Sequence, residues 1–262
     1  MRLAVIAGDG DAVSEVLEHI KDREPVVITL SSNPSYPYHY RFSPGEVGKI
    51  LKVLERERVD SLFFIGKVER MGIFGAFKMD LTALKLISGL RSFSDDAILN
   101  KVVEVLEERG IRVLDQKEVL KDFVAPSGVI CGRLSKEELE DVEFGFGVAR
   151  KLGELGIGQT VVVKKKSVIA VEAIEGTDAT IKRAGEYVKD FVVVKVKRPG
   201  QTTLMDLPVV GLKTLEVMKA SKGKVLAVEA GATLILGKGF RKKAKEYGIK
   251  VVGVDKGGLG RS

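Results

Sequence analysis

The sequence predicts an α/β protein in two domains, with a Rossmann-like parallel sheet in the N-terminal domain and a mixed α/β arrangement in the C-terminal one. Three observations carry this expectation. Short β-branched apolar runs alternate with amphipathic stretches of helical period, the pattern of parallel strands joined by helices. The alternation lapses between about Ala125 and Asp141, where Pro126, Ser127, Gly128 and Gly132 precede the charged run SKEELED. A length of 262 residues suits one large domain or two small ones. The boundary is therefore placed after residue 130, giving domains of residues 1–130 and 131–262.

Each element has its own local reason. RLAVIAG is a short apolar run and reads as the first strand, followed by a helix near Ala12 to Lys21 and by the strand PVVITL. Ser43-Pro44-Gly45-Glu46 has the spacing of a capping box with proline at the first helical position, and opens an amphipathic helix to about Arg58. SLFFIG is the next buried strand. Ser94 is placed to cap a helix over Asp95 to Arg109, in which Ile98, Leu99, Val102, Val103 and Leu106 share a face and Gly110 is the stop. IRVLD then returns as a strand. Beyond the boundary, TVVVKK, SVIAVEA, FVVVKV, KVLAVEA and IKVVGVD read as strands. The echo AVEA, at 170–173 and 227–230, reads as a shared packing solution rather than a duplication.

Composition excludes several classes. No run approaches the roughly 18 apolar residues of a membrane span. The apolar stretch at the N-terminus is about five residues long and ends in Gly and Asp, so it reads as a strand and not as a secretion signal. One cysteine, Cys131, rules out an internal disulfide, and two histidines, His19 and His39, cannot complete a structural zinc site. A reducing cytoplasm is the expected location. The net charge of +7 and pI near 9.3 favour anionic partners. The 30% charged content, carried in part by mixed Lys/Glu helices, suggests a heat-adapted surface, which would explain the charge density without any functional partner. Nucleic-acid binding would rest on the pI alone and is not expected.

Six stretches carry candidate chemistry. Gly8 and Gly10, after the first strand, can offer backbone N–H groups to a phosphate, although Val13 stands where a G-x-G-x-x-G loop wants its third glycine. Asp9 and Asp11 oppose an anion there, which disfavours NAD. SYPYHYRF either stacks a base, covers an acyl chain or packs on itself. Lys67 and Arg70 follow a strand and suit an anionic ligand, while Asp95 and Asp96 either complement a helix dipole or bind a metal or hydroxyl.

The fifth stretch is VIAVEAIEGTDATIKR. Thr177 reads as the N-cap of a helix, and capping accounts for Thr177 and Asp178 but not for Glu172 or Glu175. Carboxylates gathered at a loop suit Mg²⁺. The sixth is Lys195, Lys197 and Arg198 leading into RPGQTTLMDLPVVG, which holds Gln201 and Asp206. An acid among cations is the arrangement of a phosphoryl site, or else a solvated β-turn.

Taken together, IAGDG, FIGKVER, SDDAILNKVVEVLEERG, GQTVVV, AVEAIEGTDATIKR, VKRPGQ…DLPVVG and AVEAGATLIL resemble the LpxI-type UDP-2,3-diacylglucosamine pyrophosphatases nearly end to end. The resemblance implies Mg²⁺-dependent hydrolysis of a UDP-linked glycolipid in lipid A synthesis, giving UMP and 2,3-diacylglucosamine 1-phosphate. It implies a cytoplasmic homodimer, with membrane contact at most peripheral. Carried over residue by residue, it makes Asp206 and Asp178 the catalytic acids and Asp206 with Glu175 the metal ligands. Gly8, Gly10, Lys67, Asp95, Asp96, Gln159, Thr177, Lys195 and Gln201 become substrate-binding. Relatives commonly read Q-D-x-R-x-D-L-P where this chain reads Gln201-Thr202-Thr203-Leu204-Met205-Asp206-Leu207-Pro208. The missing acid and arginine set a second reading beside the first: a sugar-nucleotide or glycolipid binding protein that keeps the fold without turnover.

Overall fold

The computed structural model describes residues 2–10, 12–66, 68, 79–88, 95–199, 204 and 207–255, with the backbone alone at 87, 95 and 96. The chain divides into two compact units, Met1–Leu120 with Thr202–Asp206, and Lys121–Gln201 with Leu207–Ser262.

In the first unit the elements run β1 (Leu3–Ala7), α1 (Ala12–His19), β2 (Val26–Thr29), β3 (Tyr40–Arg41), α2 (Val47–Arg56), β4 (Ser61–Ile65), α3 (Leu81–Ser88), α4 (Asp95–Glu107), β5 (Arg112–Val113) and α5 (Gln116–Val119). The strands form a parallel sheet in the order β3-β2-β1-β4-β5. Every residue of β1 and β2 is buried, as expected of a parallel sheet covered on both faces. The order reverses beside β1, so the carboxyl ends of β1 and β4 form the switch point at which such sheets bind ligands.

Local departures from the sequence reading have local causes. The first helix ends at His19, and Lys21–Arg23 tighten into a 3-10 turn. The Ser43–Glu46 capping box is only half made. Glu46 accepts from the Ser43 N–H at 2.8 Å, but no side chain caps Glu46, and the helix opens at Val47. A distant acid takes over. Asp80 accepts from the Gly48 N–H at 2.7 Å and from the Ala83 N–H at 2.8 Å, so one carboxylate serves the first turns of both α2 and α3. Asp80→Ala is therefore expected to destabilise the first unit by about 2 kcal/mol, twice the usual effect of one cap. Urea unfolding would read it, and a loss under about 0.5 kcal/mol would mean that water replaces both caps.

The second unit runs β6 (Gly128–Cys131), α6 (Lys136–Glu154), β7 (Thr160–Lys164), β8 (Ser167–Val171), α7 (Thr177–Tyr187), β9 (Val192–Lys195), β10 (Val209–Val210), α8 (Leu212–Ala220), β11 (Val225–Glu229), β12 (Leu234–Ile235), α9 (Phe240–Glu246) and β13 (Lys250–Val254). Its main sheet has the order β6-β13-β11-β9-β7-β8. β9, β11 and β13 are mutually parallel, whereas β7 runs antiparallel to both β9 and β8, and β6 antiparallel to β13. The sheet is thus mixed. A pair of short strands, β10 and β12, lies beside it. SKEELED, read from sequence only as an interruption, opens α6 instead. Ser135 accepts from the Glu138 N–H at 3.2 Å and Glu138 from the Ser135 N–H at 2.6 Å, a complete capping box.

Candidate active site

The topology of the second unit delivers several polar side chains to one edge of its sheet. β8, β9, β11 and β13 point the same way, so their carboxyl ends lie along that edge together with the amino end of β7. Glu172 follows β8, Gln159 precedes β7, Lys195 closes β9 and Glu229 closes β11. The two AVEA segments thereby acquire a common meaning that the sequence reading missed. One lies on an edge strand and the other on a central strand, yet each ends in a buried glutamate at the same sheet edge, 8% exposed at Glu172 and 4% at Glu229.

Glu172 is the centre of this edge. Its backbone N–H donates to the Thr160 carbonyl at 2.9 Å, and its Oε1 accepts from the Thr177 hydroxyl at 3.0 Å. Thr177 Oγ1 and the buried Thr160 Oγ1 are 3.2 Å apart. The other carboxylate oxygen, Oε2, is buried and has no hydrogen-bond partner. Thr177 is consequently not the N-cap that its position suggested. Gly176 holds that place with φ of 81°, no side chain caps α7, and the Thr177 hydroxyl turns to Glu172.

Glu175 is occupied differently. It accepts from Arg183 Nη2 at 2.6 Å and from the Ala173 N–H at 3.1 Å, while the Thr180 hydroxyl, 3.4 Å away, donates to the Gly176 carbonyl at 3.0 Å. Backbone hydrogen bonding and then the Arg183 guanidinium hold its carboxyl below the usual range. Asp178, in the first turn of α7, faces Lys213 Nζ of α8 at 3.6 Å. Lys195 is buried and donates from Nζ to the Val209 carbonyl at 3.0 Å. The backbone N–H of Lys197 donates to Glu229 at 2.9 Å. Gln159 places its carbonyl on the Val196 N–H at 3.0 Å, and its side-chain Oε1 is buried without a partner.

In the first unit, the Gly8 N–H donates to the Ile65 carbonyl at 2.8 Å, and Gly10 has φ of 139°. Val13 is fully buried where the dinucleotide loop wants glycine, and Gly66 supplies the compactness instead. A Cβ on Gly66 would lie 2.8 Å from Val13 Cγ2 and 2.9 Å from the Asp9 carbonyl oxygen. The aromatic loop ties this turn down rather than standing open as a platform. The buried Tyr36 hydroxyl donates to the Gly8 carbonyl at 2.6 Å, His39 Nδ1 accepts from the Val27 N–H, and the Tyr40 hydroxyl donates to Glu57. Beside it lies a cleft of about 430 Å³ lined by Asp9, Ser31, Ser32, Arg41, Phe42 and Ser43. Ser31 donates to Asp9 across it, and the buried Ser43 hydroxyl has no partner.

Of the expected site residues, Gln159, Glu175, Thr177, Asp178 and Lys195 therefore belong to the edge in the second unit, and Gly8 and Gly10 to the switch-point loop in the first. Asp95 and Asp96 begin α4. Lys67, Gln201 and Asp206 lie outside the described residues. Among the described residues no three of His, Cys, Asp and Glu are grouped as a ready metal cage. The donor chemistry nevertheless fits a hard cation, because Glu172 presents a buried carboxylate oxygen without a partner. No helix among the described residues is long and apolar enough to cross a membrane.

Two α/β units, one with a Rossmann-like switch point and one with buried acids and a lysine at a sheet edge, place the chain among α/β proteins of the phosphate-handling type. The family model described as the LpxI N-terminal domain matches residues 2–123, and that of the LpxI C-terminal domain matches residues 126–252. The chain belongs to the LpxI family. It is 33% identical, over an alignment 278 positions long, to the UDP-2,3-diacylglucosamine pyrophosphatase LpxI of Caulobacter vibrioides, covering 97% of this chain and 98% of that protein.

Proposed function

We propose that this protein hydrolyses the pyrophosphate bond of UDP-2,3-diacylglucosamine, releasing UMP and 2,3-diacylglucosamine 1-phosphate in lipid A synthesis. The observation that carries the reading is the match to the Caulobacter enzyme over 97% of the chain. Water attacks one phosphorus, and charge builds on the phosphoryl oxygens as the bridging bond breaks. Mg²⁺, when bound, neutralises part of that charge. Lys195 adds a cation at the sheet edge, and the uncapped start of α7 directs its dipole toward an anionic oxygen. Asp178, held by Lys213, orients the water. Asp206 is the acid that the resemblance makes essential. The substrate's acyl chains imply peripheral membrane contact, and the same reading includes a homodimer and no nucleic-acid partner.

The test follows UMP release from UDP-2,3-diacylglucosamine with Mg²⁺ or with EDTA. Asp206→Asn is expected to lower turnover more than tenfold, a loss above about 1.4 kcal/mol in transition-state stabilisation. Turnover within tenfold of wild type would remove Asp206 from the chemistry. One observation favours the non-catalytic reading: Leu204 stands where relatives carry arginine, and it packs against the core of the first unit. Tight substrate binding with no UMP release would decide for that alternative.

A further inference from the structure

We infer that Glu172, and not Glu175, is the carboxylate of the second unit that takes a divalent cation. The two acids stand three residues apart in one loop, and their surroundings are opposite. Glu175 has its charge matched by Arg183, which donates to Oε1, and its Oε2 accepts from the Ala173 N–H. Binding a metal there would require these bonds to be given up. Glu172 is more deeply buried, has no ion pair, and keeps one carboxylate oxygen without any donor. A buried carboxylate oxygen left without a donor is costly unless something charged or hydrogen-bonding completes it.

The rest of the environment prepares Oε2 for a cation. The Thr177 hydroxyl holds Oε1, with Thr160 Oγ1 behind it, so the carboxylate plane is fixed and Oε2 is the oxygen left over. Mg²⁺ commonly uses one or two protein carboxylates, keeps several waters and takes its remaining ligands from substrate phosphate. One fixed carboxylate at the start of a helix that no side chain caps matches that economy of ligands, because the helix start favours the phosphate that would share the ion. Gly158 makes the position possible. A Cβ there would lie 2.0 Å from the Glu172 carbonyl oxygen, so the amino end of β7 and the end of β8 meet backbone to backbone.

The experiment uses Mn²⁺ alone as the probe, since it takes the same oxygen ligands as Mg²⁺ and is visible by electron paramagnetic resonance. The full chain, Glu172→Gln and Glu175→Gln are titrated without substrate, and each is melted with and without Mn²⁺. Expected are at least a tenfold weaker Mn²⁺ affinity and loss of the Mn²⁺-induced rise in melting temperature for Glu172→Gln. Glu175→Gln should bind within threefold of wild type. Glu172→Gln must still melt cooperatively without metal, which separates a lost ligand from a lost fold. Unchanged Mn²⁺ binding in Glu172→Gln, an equal loss in Glu175→Gln, or no Mn²⁺ binding by wild type would each overturn the assignment and leave a buried water as the partner of Oε2. The Mg²⁺-dependent hydrolase reading, on which the assignment rests, fails separately: Mn²⁺ bound through Glu172 with no UMP release would sink the reading and keep the site.

Discussion

Gly158→Ala is expected to be among the most damaging single-methyl additions in the second unit, with a loss of at least about 3 kcal/mol and a melting temperature lower by roughly 6 to 12 °C. The reason is space and not backbone conformation. Gly158 has no left-handed φ, but its added Cβ would stand 2.0 Å from the Glu172 carbonyl oxygen and 2.8 Å from its carbon. Both are backbone atoms of a residue whose N–H is tied to the Thr160 carbonyl of β7, and no rotamer change can move them aside. The β7–β8 ladder must open at that end, and Glu172 moves with it, so Mn²⁺ binding should weaken together with stability. Gly156, two residues earlier, is the matched control. It has φ of 69°, and a Cβ added there would meet nothing within 4 Å, so Gly156→Ala carries only the left-handed penalty, about 1 kcal/mol. Calorimetry on the two variants decides the point. Equal losses would mean that the loop, rather than the strand contact, sets the need for glycine.

The contrast between these two glycines also marks what a sequence can disclose. A glycine beside a strand is visible, but whether it serves a turn or a close approach depends on a partner that is distant in the chain. The strands were readable because VVIT, SLFFI, TVVVK, VLAVE and KVVGV are nearly continuous apolar runs, as strands covered on both faces must be. Strands β3, β10 and β12 are two residues each, too short to show any period. The β7–β8 hairpin was hidden for a chemical reason. Its two-residue turn is Lys165-Lys166, both with positive φ, where Asn or Gly is the usual signal. Asp141 of α6 makes that turn tolerable by accepting from both of its N–H groups, at 2.9 and 2.6 Å.

The site was legible to a similar depth. Glu172 and Glu175 could be recognised as acids that capping does not explain, since capping needs a side chain next to free N–H groups and these lie before the glycine. Sequence could not rank them, because the ranking depends on Arg183 reaching one and burial isolating the other. Glu229 went unnoticed although the AVEA echo pointed to it. An echo of four residues signals nothing until topology shows both copies ending at one edge.

Glu138→Ala is expected to destabilise the second unit by about 3 kcal/mol, the loss typical of breaking a buried ion pair from one side. Glu138 does three jobs from the first turn of α6: it closes the capping box on Ser135, it pairs with Lys250 Nζ at 2.7 Å, and it pairs with Lys224 Nζ at 3.3 Å. The two lysines stand at the amino ends of β13 and β11, where the Lys250 N–H also donates to the Lys224 carbonyl. Removing the carboxylate therefore loosens the helix start and leaves two cations close together on adjacent strands. Glu138→Gln keeps a capping oxygen but no charge, so its loss should be smaller. Burial pushes the Glu138 carboxyl up, but Lys250, the Ser135 N–H and Lys224 together pull it below its ordinary value of 4.5. The sign of the pH dependence follows. A lowered folded-state pKa means that the contribution is complete above about 4.5 and is lost as pH falls through the folded value. The gap between wild type and Glu138→Ala should be full at neutral pH and narrow on acidification below that point. Urea unfolding at pH 7 and near pH 3 measures both ends. A gap that stays constant would assign the loss to packing of the side chain instead of its charge. Because these lysines lie at the sheet edge opposite Glu172, Mn²⁺ affinity in the folded variant should be unchanged, which separates the group that holds the fold from the group that holds the ion.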